Sequence, residues 1–191
     1  IYTKVLYDYL DSLVLQGENL PAFIVANGDI VHHGIQSEYD DYNNFVSEIK
    51  ANYGLTVFAT IGNHDCFNNG YEIFLNEVYP NTSYYKFTSN KISYYFLDTG
   101  NGTLGSPQLF NLEKNMKQDL NEKIVFTHYY FIIDRLNISA LSNTKERAIL
   151  LDLFNKNKVR FIGTAHSHMY NVHNYGNFFE LCNNDYGKHR A

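Results

Sequence analysis

The sequence contains no tryptophan and only two cysteines and three prolines in 191 residues, and each scarcity excludes something. Cys66 and Cys182 are too few for a disulfide framework and lack the paired spacing of a cysteine-based zinc site, so both read as small thiols. No apolar run approaches the ~20 residues that a membrane-spanning helix needs. Lys and Arg form no cluster and the net charge is −5, which argues against nucleic-acid backbone as the main partner. Bound divalent cations would soften that argument, because their charge is not counted in the sequence. No repeat, linker or low-complexity block divides the chain, so the expectation is one domain spanning residues 1–191.

What is present alternates between helical and extended patterns. Val5, Leu6, Tyr9, Leu10, Leu13 and Val14 recur at helical spacing, predicting an amphipathic helix that ends near Gly17. Pro21 opens the apolar strand run Ala22–Ala26. Ser37 with Asp40 resembles a helix start, and Tyr42, Phe45, Val46 and Ile49 line one face until Gly54. Leu55–Ile61 reads as a strand and Tyr71–Tyr79 as a short helix stopped by Pro80. Tyr84–Thr88 and Ile92–Leu97 flank Ser89-Asn90 as a hairpin. Ser106-Pro107 has the chemistry of a helix cap and first turn, with Leu109, Leu112, Met116 and Leu120 following. Lys123–Phe126 and Val159–Gly163 read as strands around a helix over Thr144–Asn155, and a last hairpin turns at Gly176-Asn177. Helix–strand alternation with hairpins predicts an α/β protein with mixed sheets.

Four short motifs each follow one of these strand runs: Gly28-Asp29-Ile30-Val31-His32-His33-Gly34, Gly62-Asn63-His64-Asp65, Thr127-His128 and Ala165-His166-Ser167-His168. Strand ends on one rim of an α/β sheet converge, which is where such sheets hold ligands. Each motif has an ordinary explanation by itself. Asp29 can cap a turn, Gly62-Asn63 is a turn dipeptide, His128 can be a satisfied core histidine, and His166 with His168 can be an exposed loop pair. Taken together at four strand ends, they predict convergent metal-ligand groups in a cleft. An aspartate can bridge two cations, and a neutral Asn oxygen adds a ligand without charge. His64 would point elsewhere than Asn63, with Asp65 able to fix its tautomer. Cys66 follows directly and is not expected to be a nucleophile.

The set Gly-Asp…Gly-Asn-His-Asp…His…His-x-His resembles the calcineurin-like metallophosphoesterase family, over about Ile1 to Leu181. The stretch Gly105-Ser106-Pro107-Gln108-Leu109 adds to the likeness. The resemblance implies two mixed β-sheets packed as a sandwich and flanked by helices, four layers in all, with the first strand missing from this sequence. It implies a site at the strand ends that holds two divalent metal ions. Asp29 would bridge them, Asn63, His128 and His166 would complete one, and His168 would bind the other. His64 would stabilise the transition state or protonate the leaving oxygen, oriented by Asp65. His32 and His33 have no set role in the pattern, and His173 and His189 read as bystanders.

Three departures accompany the likeness. The family's Asp-x-His motif is absent. Because the chain opens on Ile1 rather than Met, the expectation is that this motif lies upstream, together with any signal segment that would assign a compartment. Ala165 stands in place of the usual Gly. His32, three residues after Asp29, is not the tyrosine that the purple acid phosphatase branch requires there.

The implied activity is metal-dependent hydrolysis of a small phosphate ester, diester or monoester, by a two-metal-activated water. Ligands of mixed oxygen and nitrogen type suit Mn, Fe, Zn or Co. The form of the first two motifs resembles members that act on cyclic nucleotides and other small phosphodiesters. The alternative is a non-catalytic binding protein that keeps the fold with a degraded metal site and uses its aromatic-rich surface, from 17 Tyr and 14 Phe, to hold a partner.

Overall fold

The computed structural model of the chain describes residues 2–132 and 140–183. His189 therefore lies outside the described residues. Helix α1 spans Tyr2–Gln16 and buries Leu10 and Leu13. It ends where Gly17 adopts the left-handed conformation at φ 69° and donates to the Val14 carbonyl. Strand β1 (Ile24–Asn27), helix α2 (Gln36–Tyr53) and strand β2 (Val57–Thr60) form a parallel βαβ unit, with Ile24 opposite Val57 and Asn27 opposite Thr60. Gly54, at φ 71°, closes α2 by donating to the Lys50 carbonyl. The start of α2 differs from expectation. Its N-cap is Ile35, which offers no capping side chain, and Ser37 already lies inside the first turn.

A turn of 3-10 helix over His64–Cys66 follows β2 and leads to helix α3 (Gly70–Glu77). The second sheet has six strands in the order β3-β4-β5-β6-β8-β7. Its strands are β3 (Tyr85–Ser89), β4 (Ile92–Phe96), β5 (Glu122–Phe126), β6 (Val159–Thr164), β7 (Asn171–Asn174) and β8 (Phe179–Cys182). The inner pairs β4-β5, β5-β6 and β6-β8 are parallel, while the hairpins β3-β4 and β7-β8 put antiparallel strands on both edges. This sheet is mixed, as expected, and the smaller one is a parallel pair. Helices α4 (Ser106–Gln118) and α5 (Thr144–Lys156) supply the crossovers into β5 and β6. Ser106 is the first helical residue of α4 rather than its cap. The cap is Gly105, whose φ of 74° and ψ of 159° suit a residue without Cβ.

The alternation of side chains along β4, β5 and β6 separates two kinds of packing. On one face Tyr95, Val125 and Ile162 meet Leu112 and Met116 of α4 and Leu150 and Phe154 of α5. On the other, Phe87, Phe96 and Phe58 stack against one another and join the two sheets, with Phe58 and Phe87 centroids 4.6 Å apart. Each such aromatic pair adds about 0.5–1.5 kcal/mol beyond the area it buries. Beyond the small sheet, Leu10 of α1 and Ile49 of α2 pack on Val57 and Ile24. The layers run helix, sheet, sheet, helix. The C-terminal ends of β1, β2, β5 and β6 carry the four motifs.

Candidate metal centre

Each motif leaves its strand through backbone that keeps the loop short. Gly28 turns the chain at φ 81°, and a Cβ there would lie 2.5 Å from Nδ1 of His128, so this position admits only glycine beside that ring. Asp29 follows in a left-handed conformation at φ 52°. Gly62 faces the Asp29 carboxylate closely enough that a Cβ would collide with Oδ1. His166 and His168 are both left-handed, at φ 67° and 55°, which folds the segment after β6 back toward the rim.

Four of the expected ligands converge. Nε2 of His128 lies 3.0 Å from Nδ1 of His166, 3.2 Å from Oδ1 of Asn63 and 3.3 Å from Oδ2 of Asp29. One ligand atom from each of Asp29, His128 and His166 falls within 4.8 Å of the others. The protonation pattern of His128 decides what this cluster is. Its ring is buried, and Nδ1 is 2.7 Å from the Asn27 carbonyl oxygen, which can only accept. Nδ1 therefore carries a proton, and Nε2 is the nitrogen that faces two oxygens and a second ring nitrogen. Two oxygens and two ring nitrogens gathered this closely can share one cation. The donor set of one carboxylate, one amide oxygen and two imidazoles fits a divalent metal of intermediate softness.

Electrostatics agree with that reading. Burial lowers the affinity of His166 for a proton, and the neighbouring His128 adds to it while Asp29 opposes, so its pKa falls to about 4. The imidazole is neutral, with one ring nitrogen free to act as a ligand. Burial works against ionisation of Asp29, but the His128 ring and the amide of His64 outweigh it and hold the carboxyl below its usual range. Asp29 Oδ1 accepts the His64 N–H at 2.9 Å, which leaves Oδ2 facing His128. The ring of Tyr129 packs on His166 with centroids 4.0 Å apart. Its only sequence signal was adjacency to His128.

Other expectations are met differently. The hydrogen bonds of the Asp65 carboxylate go to backbone amides rather than to the His64 ring. The 3-10 turn swings that carboxylate into the core, where it accepts N–H groups from Gly62 at 2.8 Å, Asp29 at 2.9 Å and Val31 at 3.1 Å. Burial pushes its pKa up to about 7, with the Asp29 charge adding to the rise and the Gly62 and Val31 amides opposing it. His64 instead places Nδ1 2.8 Å from the His32 carbonyl oxygen, and its ring stacks on His32 at 4.9 Å and packs against Phe67 at 4.8 Å. His168 is exposed and stands outside the Asp29–His128–His166 group. His33 pairs with Glu38, and His173 lies on the edge strand β7 beside Tyr175. Burial, with Asp98 and Asp65 nearby, drives the Cys66 thiol up to about 12, and it donates to the Gly62 carbonyl. A thiol so held is no nucleophile.

Residues 4–170 match the sequence model of the family described as calcineurin-like phosphoesterase. A probable cyclic nucleotide phosphodiesterase of Xenorhabdus bovienii is 26% identical over 184 residues, covering 90% of this chain and 71% of that protein. A dimetal phosphatase from Danio rerio superposes with a TM-score of 0.74 at 12% identity, over 96% of this chain and 77% of its own. The purple acid phosphatase of yellow lupin seeds superposes with a TM-score of 0.65 at 12% identity, over 91% of this chain and 38% of its own. At such identities the two structures establish a shared fold. Among the described residues no helix is long and apolar enough to cross a membrane.

Proposed function

This chain belongs to the calcineurin-like phosphoesterase family, a phosphoric ester hydrolase fold that uses divalent metals, and on that premise we propose that it cleaves small phosphodiesters with two such cations as cofactors. The observation that carries the reading is the convergence of His128 Nε2 with Asn63 Oδ1, Asp29 Oδ2 and His166 Nδ1. These four residues would hold one cation, and Asp29 and His168 would offer ligand atoms to a second. Mn, Fe, Zn and Co all suit the ligands. When bound, the cations supply Lewis acidity, drawing charge from phosphate oxygens and acidifying a water.

The remaining work falls to the protein's own side chains. In-line displacement at phosphorus forms a bond to the water oxygen and breaks the bond to the leaving alkoxide, which needs a proton. His64 donates it. Its Nδ1 is occupied by the His32 carbonyl, so Nε2 is the nitrogen that meets substrate. Asp65 shapes the floor by fastening the amides of Asp29 and Gly62. The diester preference takes its support from the likeness to the probable cyclic nucleotide phosphodiesterase. A net charge of −5 speaks against nucleic acid as the main substrate.

Parallel assays on bis-p-nitrophenyl phosphate and p-nitrophenyl phosphate, with Mn added, test this reading. Metal-dependent hydrolysis that favours the diester is expected. Equal or greater monoester turnover would reverse the preference, and no hydrolysis of either by metal-loaded protein would support the non-catalytic binding alternative.

A further inference from the structure

The peptide that holds His64 is itself held from α2. Glu38 lies in the first turn of that helix, beyond an N-cap, Ile35, that supplies no capping side chain. One carboxylate oxygen of Glu38, Oε2, accepts the N–H of His32 at 3.0 Å and of His33 at 2.7 Å. Oε1 sits 2.8 Å from Nδ1 of the His33 ring. The side-chain amide of Asn68 donates to the His33 carbonyl at 2.6 Å. The His32 carbonyl, so fixed, lies 2.8 Å from Nδ1 of His64, and the two rings stack 4.9 Å apart at 19°.

A backbone carbonyl can only accept, so it selects the form of His64 that carries a proton on Nδ1. His64 is partly exposed, and the imidazole pivots about a broad torsion unless something holds it. The acceptor that holds it belongs to a loop whose two amides would have no partner without Glu38. We propose that Glu38 is the positioning residue for His64: through the His32–His33 peptides it sets the tautomer and ring orientation that leave Nε2 directed outward. This rests on the proposed role of His64 as proton donor only for its consequence in catalysis. The link itself is a matter of geometry. A carboxylate in the first helical turn also favours the helix dipole, and that structural role predicts a loss of stability alone.

The test uses the full chain labelled with ¹⁵N-histidine and long-range ¹H–¹⁵N correlation in alkaline buffer. Wild type is expected to show His64 as the Nδ1–H tautomer. Glu38→Ala should turn it into a mixture, with kcat reduced roughly 10-fold, a partial loss of what a general acid contributes. KM and metal content should stay near wild type. Glu38→Gln, whose amide oxygen can still accept the two N–H groups, should retain the tautomer. His32→Ala keeps its carbonyl and should retain it too. If Glu38→Ala lowers the melting temperature but leaves His64 wholly in the Nδ1–H form, the link is overturned. A tautomer change in Glu38→Ala with turnover unaltered in both Glu38→Ala and His64→Ala would uphold the link and remove His64 from the chemistry instead.

Discussion

The carboxylate of Asp65 accepts the amide N–H of Asp29 at 2.9 Å across 36 residues of sequence, so one aspartate fixes the backbone from which the other reaches the candidate metal centre. The same oxygen, Oδ2, takes the Gly62 amide at 2.8 Å, and Oδ1 takes that of Val31. Asp65 thus ties the loops after β1 and β2 from beneath.

Asp65→Ala would leave those three amides without an acceptor at a buried point. The expected loss is about 3 kcal/mol or more, read as a lower urea midpoint, with weakened metal binding as the loops part. Asp65→Asn keeps one acceptor oxygen and should lose less. Unchanged stability in Asp65→Ala would contradict the tethering role.

For His64 the expectation is kinetic. If the ring is the proposed proton donor and not a ligand, His64→Ala should reduce turnover by roughly 10²-fold or more while metal content stays near wild type. Metal analysis beside steady-state kinetics separates the two. Loss of metal together with activity would make His64 a ligand.

Much of this architecture was legible in the pattern of the chain. The apolar runs before Asp29, Asn63, His128 and His166 are strands, and Gly17 and Gly54 end helices as their left-handed preference suggests. What escaped was non-local. Adjacency suggested that Asp65 serves His64, yet a 3-10 turn points neighbouring side chains in different directions, one into the core and one outward. Ser106 has cap chemistry, but Gly105 takes the cap because Glu146, more than 40 residues away in α5, accepts the Leu104 and Gly105 amides. The Glu38 contacts with His32 and His33 span five to six residues but depend on the loop turning back over the start of α2. The two-residue spacing of His166 and His168 could not tell a shared pocket from separate ones. The described group includes the first and leaves the second exposed.

Gly28 offers a test of close packing. Gly28→Ala places a methyl group against the His128 ring in a backbone region, φ 81°, that alanine avoids. Displacement of His128 should weaken metal affinity by roughly 10- to 100-fold, measured by competition with a chromophoric chelator. Wild-type affinity in this variant would mean that the ring is not where the metal binds.

Acid stability should report on Asp119, far from the centre. Burial opposes its ionisation, but the Ser93 hydroxyl, the Asn121 amide, the Tyr95 hydroxyl and Lys123 prevail, and its pKa drops to about 2. A carboxyl with a folded pKa below its unfolded one stabilises above the unfolded value, about 4, and loses that contribution as pH falls toward the folded one. Wild type should therefore lose about 1 kcal/mol between roughly pH 4 and 2 from this group, after allowance for solvent screening. Asp119→Asn should flatten the melting-temperature profile in that window. An unaltered slope would assign the acid sensitivity to other groups.

The central claim is that Asp29, Asn63, His128 and His166 share one divalent cation. Anomalous diffraction from crystals grown with Mn or Zn tests it most directly. The account predicts a peak bonded to Asp29 Oδ2, Asn63 Oδ1, His128 Nε2 and His166 at about 2.0–2.3 Å, with a second peak on the Asp29 and His168 side. Ordered metal elsewhere on the chain, with these four side chains unligated, would contradict it.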